Sequence, residues 1–141
     1  MSEKYTKDFD TWNKVKMQTE QEECKAFAHP REVWWCTLGV NIGAEIDGKN
    51  DSFERPVIVM KVYNKETMLV LPTTGRAKND RFHTQLEIES IDKNTKEITT
   101  RTVYVKLTQA RVISNKRLKR KVGVIEKETF SNILREFRKF T

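Results

Sequence analysis

The sequence predicts a mainly β protein with some α: a small antiparallel barrel with one helix before it and one after. Three observations carry this. Five to seven short β-branched or aromatic segments lie between residues 32 and 114, divided by turn-forming residues. Helical periodicity is confined to the two ends. The chain of 141 residues is long enough to bury one core without staples.

Residues 8–28 read as the first helix, because Phe9, Trp12, Val15, Cys24 and Phe27 recur at helical spacing and Asp8 or Asp10 can cap the start. Pro30 ends it, since the residue before a proline avoids helix. "EVWWCTL", "RPVIVMKVY" and "TMLVLP" read as three strands. Adjacent Trp34 and Trp35 face opposite sides of the first, one toward the core and the other toward the leading helix. "RFHTQLEIE" alternates Phe82, Thr84, Leu86 and Ile88 with polar neighbours, as a half-buried strand does. "KNTKE" turns the chain into "ITTRTVYVKL", and "ARVIS" reads as a last strand. From about residue 126, Phe130, Ile133, Leu134 and Phe137 form one apolar stripe of a closing helix. Acidic residues at its start and basic ones at its end suit the helix dipole. Residues 1–29 thus form a helical extension and 30–141 the barrel domain.

The formal net charge is +7 and is unevenly placed: residues 1–70 carry 10 basic and 12 acidic side chains, residues 71–141 carry 17 and 8. A basic half of this kind suits an anionic partner such as nucleic acid. The run from Arg111 to Lys121 holds six of these charges and is either a solvated face or a backbone-contacting one. No apolar run approaches membrane-spanning length and the start is polar, so a cytoplasmic protein with no membrane partner is expected. Cys24 and Cys36 offer no metal-site spacing and read as reduced thiols.

The connection between the first two strands is unusually long. It carries Gly39, Gly43 and Gly48, has Glu45 near its middle, and ends in Arg55-Pro56. A guanidinium on a rigid strand beneath a glycine-bearing loop is a good phosphate holder. Thr73 and Thr74 end the third strand, which neighbours the second in small barrels, so Arg55 and Thr74 are expected to meet. The loop length suggests a mobile lid around 43–53; the alternative is that Ile46 and Phe53 pin it to the barrel.

In order, Gly43-Ala44-Glu45-Ile46-Asp47-Gly48, Arg55-Pro56, Pro72-Thr73-Thr74-Gly75, Gln109-Ala110-Arg111 and Arg117-Leu118 with Gly123 resemble the motifs of the MazF/PemK toxin family, over about residues 31–140. The resemblance implies an SH3-like barrel, usually a homodimer. It implies a metal- and cofactor-independent endoribonuclease that cuts single-stranded RNA, often mRNA, at a short sequence and is silenced by a cognate antitoxin. By matching position it makes Arg55 and Thr74 the catalytic pair and Glu45 an acidic helper. Asn41, Lys49, Thr73, Arg76 and His83 are the RNA contacts expected around them. The chemistry suits these types: RNA supplies its own 2′-OH nucleophile, Arg55 binds phosphate oxygens and donates a proton, Thr74 bonds a non-bridging oxygen, and Glu45 acts as base. Products would be a 2′,3′-cyclic phosphate and a 5′-OH.

Two features depart from the minimal family pattern. Six residues separate Gly48 from Arg55, and the leading helix is additional. Innocent readings stand beside the functional ones: Arg55 as a surface ion pair, Thr74 as a turn hydroxyl, His83 as a passive strand residue, His29 as a linker, Arg111 as a structural pairing residue. The rival functions are a non-catalytic RNA- or protein-binding module on the same barrel and a topoisomerase-poison toxin.

Overall fold

The structure is a computed structural model and describes residues 5–23 and 26–141. Helix α1 spans Phe9–Gln21. The Asp8 carboxylate caps it, accepting from the Thr11 amide at 3.0 Å and the Thr11 hydroxyl at 2.7 Å. The helix stops seven residues short of the expected end, with Glu22 already extended. After Val15 the sequence "KMQTEQEE" supplies no apolar stripe to bury, so nothing holds further turns down. Phe27 lies beyond the helix and is exposed, and Cys24 lies outside the described residues. Trp12 is the apolar anchor of α1: it is buried, edge-on to Phe53 with ring centroids 5.7 Å apart, and the Arg117 guanidinium stands 5.8 Å from its ring. Gly39, at φ +81°, lies directly against the indole.

Seven antiparallel strands follow: β1 Glu32–Thr37, β2 Glu54–Val62, β3 Thr67–Thr74, β4 His83–Ile91, β5 Ile98–Lys106, β6 Arg111–Ser114 and β7 Leu118–Val124. The sheet order is β4-β5-β3-β2-β1-β7, with β6 also on β3. Strand β3 changes partner along one edge: Thr67–Val70 pair with β6, while Thr73 and Thr74 pair with Val105 and Tyr104 of β5. The sheet curls into a half-barrel whose ends, β4 and β7, approach without a ladder. Gly123 faces the Glu89 carbonyl, 3.2 Å from where a Cβ would stand.

The unbroken apolar run of β2 has a physical reason: both of its faces are buried. Ile58 and Met60 join one core with Val33, Leu71, Val103, Val105 and Leu107. Val57 and Val59 join another with Cys36, Leu38, Met68, Val70 and Ile113. Helix α2, Lys127–Arg138, closes the first core by Ile133, with Phe130, Leu134 and Phe137 packed around it. A fully buried side chain of this size contributes about 1.5–3 kcal/mol, so Ile133→Ala is the change that loosens the helix.

Strand β7 is the element missing from the sequence reading. "LKRKVGV" is basic rather than alternating, and its ladder to β1 is shifted twice by bulges. Its inward positions are few: Leu118 is buried and Val122 packs on the core, while Lys121 and Arg120 reach Glu32 at 2.9 Å and Glu54 at 3.6 Å. Of the two adjacent tryptophans, one faces a core as expected and the other does not meet the leading helix. Trp34 packs on the second core and donates its indole N–H to Glu32 at 3.0 Å. Trp35 is half-buried under Arg101 and Arg120, whose guanidinium carbons lie 5.5 and 4.8 Å from its ring, and it is Trp12 that meets the leading helix.

Candidate active site

Arg55 enters β2 and Thr74 leaves β3. The β2–β3 ladder pairs Val57 with Pro72, and its alternation puts Arg55 and Thr74 on one face. Both line a cleft of about 660 Å³ that also receives Glu45, Asp47, Lys49, Arg76, Lys78, Lys106 and Tyr5. The Arg55 side chain is held before any ligand arrives: Nε donates to the Asp47 carbonyl, and Nη1 donates to the Thr73 carbonyl at 3.3 Å. Burial lowers its pKa, while the charges of Asp47 and Tyr5 raise it, and a guanidinium so placed stays charged. The Thr74 hydroxyl accepts from the Arg76 amide at 3.3 Å.

Arg55, Lys49, Arg76, Lys78 and Lys106 share this cleft with Asp8, Glu45 and Asp47. Asp47 is already engaged by the Asn41 amide at 2.6 Å, the Tyr5 hydroxyl at 3.2 Å and Lys7 at 3.4 Å. The cations crowd one another. Lys49 has its pKa lowered by the Arg55 charge first, then by burial and Arg76. Lys106 has its pKa lowered by burial first, then by Lys78 and Arg55. A polyanion in the cleft would relieve that crowding.

The loop leading to Arg55 is pinned rather than free. Gly48 N–H donates to the Gly39 carbonyl at 2.8 Å, and the Asn41 side-chain amide donates to the Leu38 and Ile46 carbonyls. Gln109 accepts from Ile46 N–H at 2.6 Å and donates to the Ala44 carbonyl at 3.2 Å. Ile46 is buried and Phe53 abuts Trp12. These contacts match the pinned alternative, and the lid around 43–53 is not what they describe.

Of the residues singled out by sequence, Arg55, Thr74, Glu45, Lys49 and Arg76 come together. Glu45 is exposed at the rim, its carboxylate accepting from Ile42 N–H at 3.3 Å. Three expected contacts, Asn41, Thr73 and His83, do not join them. Asn41 spends its amide on the loop backbone. Thr73 is buried on the opposite face, donating to the Pro56 carbonyl at 2.7 Å, because successive strand residues alternate. His83 stands behind the cleft, 3.3 Å from the Lys106 amine. Arg111 is structural, donating to the Leu38 carbonyl at 3.4 Å. The sequence reading missed Tyr5, Asp47 and Lys106. Alternation carried the signal for Lys106: with Val103, Val105 and Leu107 facing the core, Tyr104 and Lys106 must face the side of Thr74, which pairs with Tyr104.

A curled antiparallel half-barrel that offers a pre-held arginine and a strand-end threonine to a cationic cleft has the architecture of the small toxin barrels. The family comparison agrees. The model of the PemK-like, MazF-like toxins of type II toxin–antitoxin systems matches residues 29–141, and the chain belongs to that family. No curated protein matches it by sequence. Among solved structures it resembles the Mycobacterium tuberculosis toxin MazF-mt6, with a TM-score of 0.56 at 11% identity, over 78% of this chain and 95% of that one. A mycobacterial endoribonuclease aligns with a TM-score of 0.52 at 12% identity, over 82% and 93% of the two chains. A mycobacterial endoribonuclease solved in complex with its cognate antitoxin aligns with a TM-score of 0.52 at 10% identity, over 80% and 93%. At these identities the likeness is one of fold. No described helix is long and apolar enough to cross a membrane.

Proposed function

We propose that this toxin is an endoribonuclease that cuts single-stranded RNA, mRNA in the cytoplasm above all, by attack of the 2′-OH on its own phosphodiester, without metal. The carrying observation is the convergence of Arg55 and Thr74 in one cationic cleft. Phosphate charge grows as the phosphorane forms. Donors already aimed at that charge need no reorganisation at the moment of reaction. Arg55, fixed by two backbone carbonyls, meets this need, and Thr74 supports a non-bridging oxygen. Glu45 at the rim is the base for the 2′-OH, and the products are a 2′,3′-cyclic phosphate and a 5′-OH.

The test is a long RNA incubated with the purified protein and EDTA, with the new ends mapped. Cyclic phosphate ends in EDTA support the reading. Cleavage that requires added metal, or none at all, refutes it. Arg55→Ala is expected to slow cleavage about 100–1000-fold, equivalent to about 3–4 kcal/mol, with the fold intact.

The same cleft suits an acidic antitoxin tail competing with RNA, a reading supported by the solved neighbour that is in complex with its cognate antitoxin. A homodimer is the expected assembly, and light scattering that gives only 16.7 kDa at all concentrations would overturn it.

A further inference from the structure

An RNA cleft needs more than a base and an anion holder. As the P–O5′ bond breaks, the departing oxygen must receive a proton. Contrary to the expectation from sequence, Arg55 cannot give it, because a guanidinium does not deprotonate in a protein. Beside it in the cleft stands a cation that can. Lys106 ends β5 on the face shared with Tyr104 and Thr74. Its ammonium lies 3.3 Å from His83 Nε2, and His83 Nδ1 lies 2.7 Å from the Asp80 carboxylate. An ionised carboxylate only accepts, so Nδ1 carries the ring hydrogen and Nε2 accepts from Lys106. Asp80, His83 and Lys106 thus form one chain of hydrogen bonds that ends in the cleft, and the His83 side chain is largely buried within it. Arg55 from β2 and Lys78 from the β3–β4 connection are the other charges acting on the amine.

We propose that Lys106 is the proton donor to the 5′-oxygen and that His83, backed by Asp80, is the residue that positions its amine. The proposal rests on the ribonuclease reading. In the step, the 2′-oxygen bonds to phosphorus as its proton passes to Glu45. The P–O5′ pair moves onto O5′, which takes a proton from Lys106. Glu45 then returns its proton through water to the neutral amine, so the enzyme ends as it began. Burial and the neighbouring cations lower the Lys106 pKa, which makes it a better donor near neutral pH.

The experiment compares two substrates at the mapped cleavage site: ordinary RNA, and the same RNA with sulfur in place of the bridging 5′-oxygen. A thiolate leaves without a proton. Lys106→Ala should slow ordinary RNA by about 100-fold or more and leave the sulfur substrate near the wild-type rate. Lys106→Arg should stay slow on ordinary RNA, since it restores charge without a transferable proton. His83→Leu should slow only ordinary RNA, and His83→Gln, whose amide oxygen still accepts from the ammonium, should recover part of the rate. Arg55→Ala should be slow on both substrates. Equal slowing of both by Lys106→Ala, or full activity of Lys106→Arg, overturns the donor role while leaving the ribonuclease reading intact. A wild-type protein inert on both overturns the two together.

Discussion

The contact between Gly39 and Trp12 predicts a strongly non-additive pair. A Cβ added to Gly39 would stand 2.2 Å from two indole carbons, and the backbone there has φ +81°. Gly39→Ala therefore meets two separable costs. Holding alanine at positive φ costs about 1–2 kcal/mol. Expelling the indole from its site costs about 3 kcal/mol more, in line with truncation of a buried tryptophan. Trp12→Ala alone should cost about 3 kcal/mol, since it empties the same site. In the double variant the clash is gone, so the second change adds only the backbone term. The coupling between the two sites is then about 3 kcal/mol, far above the few tenths seen for independent positions. The assay is urea unfolding of the four proteins, with amide exchange across Phe9–Gln21 reporting whether α1 stays docked. Additive losses, or a Gly39→Ala protein with α1 amides still protected, would refute the reasoning.

Three further perturbations separate structural from chemical roles. Thr73→Val leaves the buried Pro56 carbonyl without its donor and should cost about 1–3 kcal/mol of stability, whereas Thr74→Val should lower cleavage about 10-fold or more with little change in urea midpoint. Burial raises the Glu32 pKa, but bonds from Lys121, the Trp34 indole and the His29 amide outweigh it and hold the carboxyl below its usual value. The stability it contributes is present above the ordinary carboxylate range and lost as pH falls through the folded value. The advantage of wild type over Glu32→Gln should therefore shrink between about pH 6 and about pH 3 in parallel denaturation series. The Cys36 thiol is fully buried and its pKa is pushed up to about 12. In a Cys24→Ser background it should react with a thiol reagent at pH 8 only at the rate of unfolding, and rapid labelling of native protein would contradict this burial.

What could be read from the chain divides along physical lines. Strands with an apolar reason to exist, such as "VIVM" and the Leu86–Ile88 alternation, announce themselves, as does the α2 stripe. Strand β7 does not, because its partners lie on other strands: Lys121 and Arg120 pair with Glu32 and Glu54, and only Leu118 and Val122 turn inward. The end of α1 was overshot because Cys24 and Phe27 kept helical spacing after the apolar face had lapsed. At the site, Arg55, Thr74 and Glu45 were legible through motif order. Thr73 and Thr74 both read as the end of the third strand; alternation along β3, which runs through Thr74, sends them to opposite faces, so only one of the two reaches the cleft. Asp47 takes Tyr5 and Lys7 as partners from far away in sequence, and no local spacing reports it, whereas Lys106 is legible in the alternation of β5 once Thr74 is paired with Tyr104.

The change of partner along β3 gives the cleft a seam. Arg55 and Thr74 belong to the body of the sheet, whereas Lys106 and His83 belong to the β4–β5 arm, and the ladder joining arm to body has only two residue pairs, Thr73 with Val105 and Thr74 with Tyr104. A small swivel of the arm about those two pairs alters the gap between guanidinium and amine while leaving the ladders within each part whole. The width of the cleft is therefore a property of a joint, and the joint is stiffened by Val103, Val105 and Leu107 wedged into the common core beneath it.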